Sequence, residues 1–262
     1  MKKVFLKSTL ILTIIAALAS CEKKTETTKP ETKLTKQLPT EKTELVKDPV
    51  AMTEVEHYMT KEQQEKHTPD MVLKELEAGN ERFMNGKITA RNHSEARTKV
   101  ADHQYPKAFV LSCMDSRVPV EDVFDQGIGD LFVGRVAGNI ANKDILGSME
   151  YACKVAGSKV IVVLGHGNCG AIKGAIDNVK LGNLTNVLDQ IKPAINMTSF
   201  AGPKTSDNYE YKHQVSLNNV KNTIKNIREK SPILKEMEDK GQIKIIGAFY
   251  SLTNGHMEYV QH

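Results

Sequence analysis

Apolar positions along the chain change period several times. Residues 107–113, KAFVLSC, and 159–166, KVIVVLGH, are short and almost continuously apolar. That pattern suits strands buried on both faces. DLFVGRVAG (130–138) and GQIKIIGAFYSL (241–252) read the same way. The intervening stretches lengthen to helical spacing. ILGSMEYACKVAG (145–157) ends on glycine, CGAIKGAIDNV follows the third apolar run, and VSLNNVKNTIKNIREKSP (215–232) stops before Pro232. Upstream, Thr68 is placed to cap a helix with Pro69 at its first position. Met71, Val72, Leu76 and Phe83 recur along that helix until Asn85-Gly86 ends it. The turn pair Asn254-Gly255 leads into a short final strand, HMEYV. Alternating strands and helices of this kind predict an α/β fold, with a mainly parallel β-sheet core flanked by helices and a short antiparallel C-terminal strand.

The first residues depart from this alternation. Lys2, Lys3 and Lys7 precede the apolar run LILTIIAALAS, which closes on small residues before Cys21. A basic start, a short apolar stretch and small residues predict a secretory signal over 1–20. The run is too short for a comfortable membrane span. LASC resembles the bacterial lipobox, which implies lipidation of Cys21 and an exported, membrane-anchored lipoprotein on the periplasmic or cell-surface side. Residues 22–50 are mostly Thr, Lys, Glu and Pro and bury too little apolar surface to offset their ordering entropy. They predict a flexible tether that runs, with the start of a helical arm, through 22–64. The α/β domain is expected over 65–262.

Removing the leader also changes the charge. It takes three lysines and no acid from a chain of net charge +4, leaving +1. No case remains for nucleic acid as a partner. The four cysteines become three once Cys21 is assigned to lipid, and three cannot all pair within one chain. Cys113, Cys153 and Cys169 at wide spacing point to metal ligands or a reactive thiol. Cys153, in a helical run with Tyr151 and Val155, reads as a buried hydrophobe.

Two apolar runs end in unusual chemistry. The first continues into CMDSR (113–117) and the third into HGNCGA (166–171). Ligands of open parallel sheets bind beyond the carboxyl ends of the strands, so topology alone puts Cys113, Asp115, Arg117, His166 and Cys169 on the functional edge. Two thiolates and an imidazole suit zinc, and three protein ligands leave a fourth position open for chemistry. A rival reading takes GNCGA as a nucleophile elbow, with Cys169 for serine and His256 as the base of a cysteine hydrolase. That reading leaves Cys113 and His166 without a role.

The paired motifs resemble the β-class carbonic anhydrases, whose pattern is C-x-D-S-R followed by H-x-x-C-G. The likeness runs through DQGIGDLFVGRVAGN and GSMEYA and is strongest over about 90–180. The resemblance implies Zn2+ on Cys113, His166 and Cys169, and reversible hydration of carbon dioxide to bicarbonate and a proton by zinc-bound hydroxide. It implies that Arg117 holds Asp115, which orients the hydroxide or takes the fourth zinc position in a closed state. Gln104, Phe132, Ala137 and Tyr151 fall on positions lining the family's carbon dioxide pocket at a dimer interface, so a homodimer or higher homo-oligomer is expected. A bicarbonate-inhibited subgroup carries Trp where this chain has Val110, although Arg135 matches an arginine used there. An open site is therefore expected. Two thiolates should leave the zinc-bound water less acidic than in a three-histidine site. Relatives on the same fold hydrolyse carbon disulfide or carbonyl sulfide, and a non-catalytic zinc-binding lipoprotein is a further alternative.

Overall fold

The computed structural model describes residues 58–261. The signal, lipidation and tether expectations for residues 1–57 lie outside them. Three helices come first: α1 (Lys61–Lys66), α2 (Pro69–Met84) and α3 (His93–Lys99). The sheet begins with β1 (Ala108–Ser112), followed by the single turn α4 (Val120–Val123), β2 (Leu131–Arg135), α5 (Lys143–Glu150) and β3 (Val160–His166). Helices α6 (Gly170–Ile176), α7 (Gly182–Asp189), α8 (Lys192–Met197), α9 (Tyr209–Lys230) and α10 (Pro232–Asp239) precede β4 (Lys244–Tyr250) and β5 (Met257–Val260). The five strands lie in the order β2-β1-β3-β4-β5. All neighbouring pairs are parallel except β4 with β5, which is antiparallel as the Asn254-Gly255 turn predicts.

The continuous apolar runs are explained by two covered faces. Phe109, Leu111, Ile161 and Val163 point to one side, against Val220, Ile224 and Ile227 of α9 and Leu234 of α10. Ala108, Val110, Val162 and Leu164 point to the other, against Val72 and Leu76 of α2 and Phe124 after α4. Helix α9 lies close to the sheet because two strand positions lack a side chain. A Cβ on Gly165 or Gly247 would meet Val220 at 2.7 or 2.6 Å. Helix α2 makes a still closer approach at Gly79, where a Cβ would sit 1.8 Å from the Phe124 carbonyl oxygen.

Several boundaries differ from the periodicity. Thr68 caps α2 as expected, accepting from the Met71 N–H at 3.3 Å, but Met71 itself is exposed. The buried stripe of α2 follows Val72, Leu76, Gly79 and Asn80, which lie about 80–180° away from Met71 on the helix wheel. The expected helix over 145–157 stops being α-helical at Glu150 and continues as a π-helical turn, Tyr151–Val155. Helix α9 starts at Tyr209, ahead of the apolar stripe, because Asn208 caps it by accepting from the Tyr211 N–H. Ahead of residue 65, Gln64 of α1 is buried and donates to the carbonyls of Pro106 and Ala156, both at 2.9 Å. Among the described residues no helix is long and apolar enough to cross a membrane.

Candidate metal centre

Cys113 follows the last residue of β1, and His166 is the last residue of β3. These strands are adjacent and in register, with Ser112 opposite Leu164, so both side chains emerge at one edge. The chain then turns through Gly167 and Asn168, the latter with a left-handed φ of 49°, and delivers Cys169 to the N-cap of α6. All three donors are buried and lie within 4.8 Å of one another, with the two sulfurs 3.9 Å apart. Around them pack Ile140, Ile172, Leu188, Ile191 and Val215, which restrict water to the open side.

The donors are also prepared for a cation. His166 Nδ1 lies 2.8 Å from the Gly167 carbonyl, an acceptor only, so Nδ1 carries the proton and Nε2 keeps its lone pair. Nε2 is buried with no hydrogen-bond partner. An orphaned acceptor facing two thiols is costly unless something electropositive fills the gap. The hydrogen bond from the Cys169 thiol, helped by the Gly138 N–H, pulls the Cys113 thiol well below its ordinary range. The same sulfur contact, together with burial, pushes Cys169 up. Cys153 behaves differently: burial alone pushes it up to about 12, as expected for a packing residue.

Asp115 Oδ2 lies 3.9 Å from His166 Nε2. Arg117 binds both its oxygens, and the Arg117 backbone N–H adds a bond to Oδ1 at 3.0 Å. The Arg117 guanidinium holds the Asp115 carboxyl well below the usual carboxylate range. A second arginine fixes the loop that carries them. Arg135, at the end of β2, donates to the carbonyls of Cys113 at 3.1 Å and Asp115 at 2.5 Å. That role was not legible in the sequence, which suggested only an anion-binding match. Gly138 was equally hidden: its N–H donates to Cys113 Sγ at 3.4 Å.

The expected pocket residues are spread more widely. Ala137 sits in a 3-10 turn, Ala137–Asn139, beside Cys113. Phe132 and Tyr151 meet edge to face, ring centroids 6.1 Å apart, in an open cleft beside the edge strand β2. Gln104 is exposed in the segment ahead of β1, and no hydrogen bond joins it to the cluster. The hydrolase candidate His256 forms no hydrogen bond to Cys169 either, and the sulfur's neighbour is Cys113.

Two thiols and an imidazole at the carboxyl ends of a parallel sheet, with an arginine-held carboxylate beside them, define an α/β protein with a three-donor cluster that could hold a metal ion. Residues 108–257 match the carbonic anhydrase family. Carbonic anhydrase 2 of Mycobacterium tuberculosis (strain ATCC 25618 / H37Rv) is 34% identical over 200 residues, which cover 74% of this chain and 94% of the relative. Carbonic anhydrase of Mycolicibacterium smegmatis is likewise 34% identical over 200 residues, with the same coverage, 74% and 94%. Among solved structures, Coccomyxa β-carbonic anhydrase in complex with acetazolamide superposes with a TM-score of 0.57 at 26% identity, covering 64% of this chain and 77% of that one. The chain belongs to the carbonic anhydrase family, in its β class.

Proposed function

We propose that the protein catalyses the zinc-dependent, reversible hydration of carbon dioxide to bicarbonate and a proton. The observation that carries this reading is the buried Cys113, His166 and Cys169 cluster, with an unpaired His166 Nε2 and the Asp115 carboxylate 3.9 Å from it. Bound zinc would supply a Lewis acid that makes water acidic enough to attack carbon dioxide near neutral pH. Cys113, His166 and Cys169 would hold it, and their two sulfurs would neutralise its charge. Asp115 is an obligate acceptor while ionised, so it accepts a hydrogen bond from the attacking oxygen and leaves a lone pair facing the substrate. Arg117 keeps Asp115 ionised and restrains it beside the cluster. Carbon dioxide carries no charge and fits an apolar wall, which Ala137, Phe132 and Tyr151 are suited to provide.

The Phe132–Tyr151 cleft also supports self-association. Tyr151 and Val155 are 51% and 71% exposed beside an edge strand, an apolar surface that a second copy of the chain would cover. A homodimer, or a larger assembly built from it, is the form in which these residues would line a closed pocket. The leader adds a place: lipidation at Cys21 after export would hold the enzyme at a membrane surface outside the cytoplasm.

Stopped-flow carbon dioxide hydration on purified protein, with metal content measured on the same sample, tests the reading. Turnover that scales with zinc content and is suppressed by acetazolamide supports it. Zinc-loaded protein with no turnover points to a non-catalytic zinc protein, and preferential turnover of carbon disulfide or carbonyl sulfide points to the other hydrolases.

A further inference from the structure

Asn219 sits in the middle of α9 and is completely buried. Its Nδ2 donates to the Gly138 carbonyl at 2.8 Å, across a sequence separation of 81 residues, and its Oδ1 has no hydrogen-bond partner. The amide therefore spends one end on a single contact and leaves the other unpaired, an expensive choice for a residue that only fills space. The contact is made to the residue whose N–H faces Cys113 Sγ at 3.4 Å.

The surroundings of Gly138 explain why it needs this support. It adopts a left-handed φ of +72°, and a Cβ there would meet Ile191 Cδ1 at 2.6 Å. A glycine in a short turn has wide conformational freedom and can rotate its peptide away from the sulfur. The hydrogen bond from Asn219 restrains that freedom by gripping the carbonyl of the same residue. Helix α9 is a fixed support, because the next residue, Val220, is seated against Gly165 and Gly247 of the sheet.

We infer that Asn219 is a positioning residue for the metal centre, acting through Gly138 to hold an N–H against the Cys113 sulfur. The inference rests on the zinc reading of the site. A hydrogen bond to a metal-bound thiolate withdraws electron density from the sulfur, so it sets how strongly Cys113 donates to the metal. Asn219 touches neither substrate nor metal.

The test uses cobalt(II)-substituted protein, whose sulfur-to-cobalt charge-transfer band reports thiolate donation directly. Asn219→Leu keeps the branched outline of the side chain and removes the donor. Its band should move to longer wavelength as the sulfur regains electron density, and the loosened turn should make cobalt bind about 10–100-fold more weakly, the usual cost of losing an outer-shell partner. Ile191→Val loosens packing on the same turn without touching the hydrogen bond and should leave the band in place. Should Asn219→Leu fail to fold, Asn219→Ala removes the same donor and should show the same shift. An unmoved band in the Asn219 variant, or an equal shift in Ile191→Val, overturns the inference. A wild-type protein that binds cobalt with no sulfur band instead overturns the zinc reading beneath it.

Discussion

Arg117 grips Asp115 in a planar fork, Nε to Oδ1 at 2.9 Å and the terminal nitrogen to Oδ2 at 2.7 Å. The pair is separated by one residue, yet the fork also reaches the cluster: the same guanidinium lies 3.3 Å from the carbonyl of Asn168, next to Cys169. Asp115 is thus tied to the turn that carries two of the three donors. Its charge and its position have one cause.

Asp115→Asn should keep bound metal and lose about 10²–10⁴-fold in kcat, the usual cost of removing a positioned acceptor group. Arg117→Ala should give a similar loss by releasing the carboxylate. Because Asp115 is held far below the usual carboxylate range, it stays ionised throughout the neutral region. With Val110 buried where the inhibited subgroup has Trp, kcat/KM in wild type should rise smoothly with pH as a single ionisation. A steep, cooperative loss on acidification, deepened by bicarbonate, would show a closed state operating without that tryptophan.

Metal content separates ligands from bystanders. Cys113→Ser, His166→Ala and Cys169→Ser should each lose most of the zinc found by elemental analysis, whereas Cys153→Ser should retain it. Full retention in both Cys113→Ser and Cys169→Ser would restore the cysteine-hydrolase reading.

Stability has its own pH signature, centred on Asp125. Its side chain is fully buried and accepts from Arg82 at 2.5 Å, Arg91 at 2.6 Å and the Thr89 hydroxyl at 2.7 Å. Burial pushes its pKa up, but the hydrogen bonds from Arg82, Thr89 and Arg91 outweigh this and leave it lowered. A lowered folded pKa stabilises fully above the unfolded value of about 3.9 and is lost as pH falls through the folded one. Asp125→Asn strands the partly buried Arg91 and should cost about 3–5 kcal/mol in urea unfolding at pH 7. The gap to wild type should stay flat above about pH 5 and narrow in acid.

The leader can be tested apart from the chemistry. Wild type should fractionate with membranes, Cys21→Ser should be released or mislocalised, and protein beginning near residue 50 should be soluble and fully active. One acyl chain anchors only marginally, so stable attachment needs the further acylation that lipoproteins receive. Unprocessed wild type in the cytosol would end the localisation proposal and leave the catalytic one standing.

Strand ends were the most legible feature. β1 and β3 are apolar on both faces, so their limits show as the point where apolar residues give way to CMDSR and HGNCGA. Helix ends were legible where a side chain caps them, as at Thr68, and illegible where the backbone changes pitch, as at Glu150. Met71 lies in the helix the spacing predicts but is exposed, because a single apolar position does not say which side of a helix will be covered.

The residues alone determined the parallel sheet, the antiparallel last strand and that Cys113, His166 and Cys169 gather at one sheet edge with Asp115 and Arg117. Each of these follows from local periodicity, or from chemistry placed within a few residues of a strand end. Only the tertiary structure decided that Arg135 clamps the Cys113–Asp115 loop, that Gly138 turns its N–H to a sulfur, and that Asn219 holds that turn. Those contacts join positions 20 to 81 residues apart through backbone carbonyls and amides, as in the bonds from Arg135 to the Asp115 carbonyl and from Asn219 to the Gly138 carbonyl. Every residue has a backbone carbonyl, and every residue but proline an N–H, so a sequence carries no mark of which will meet.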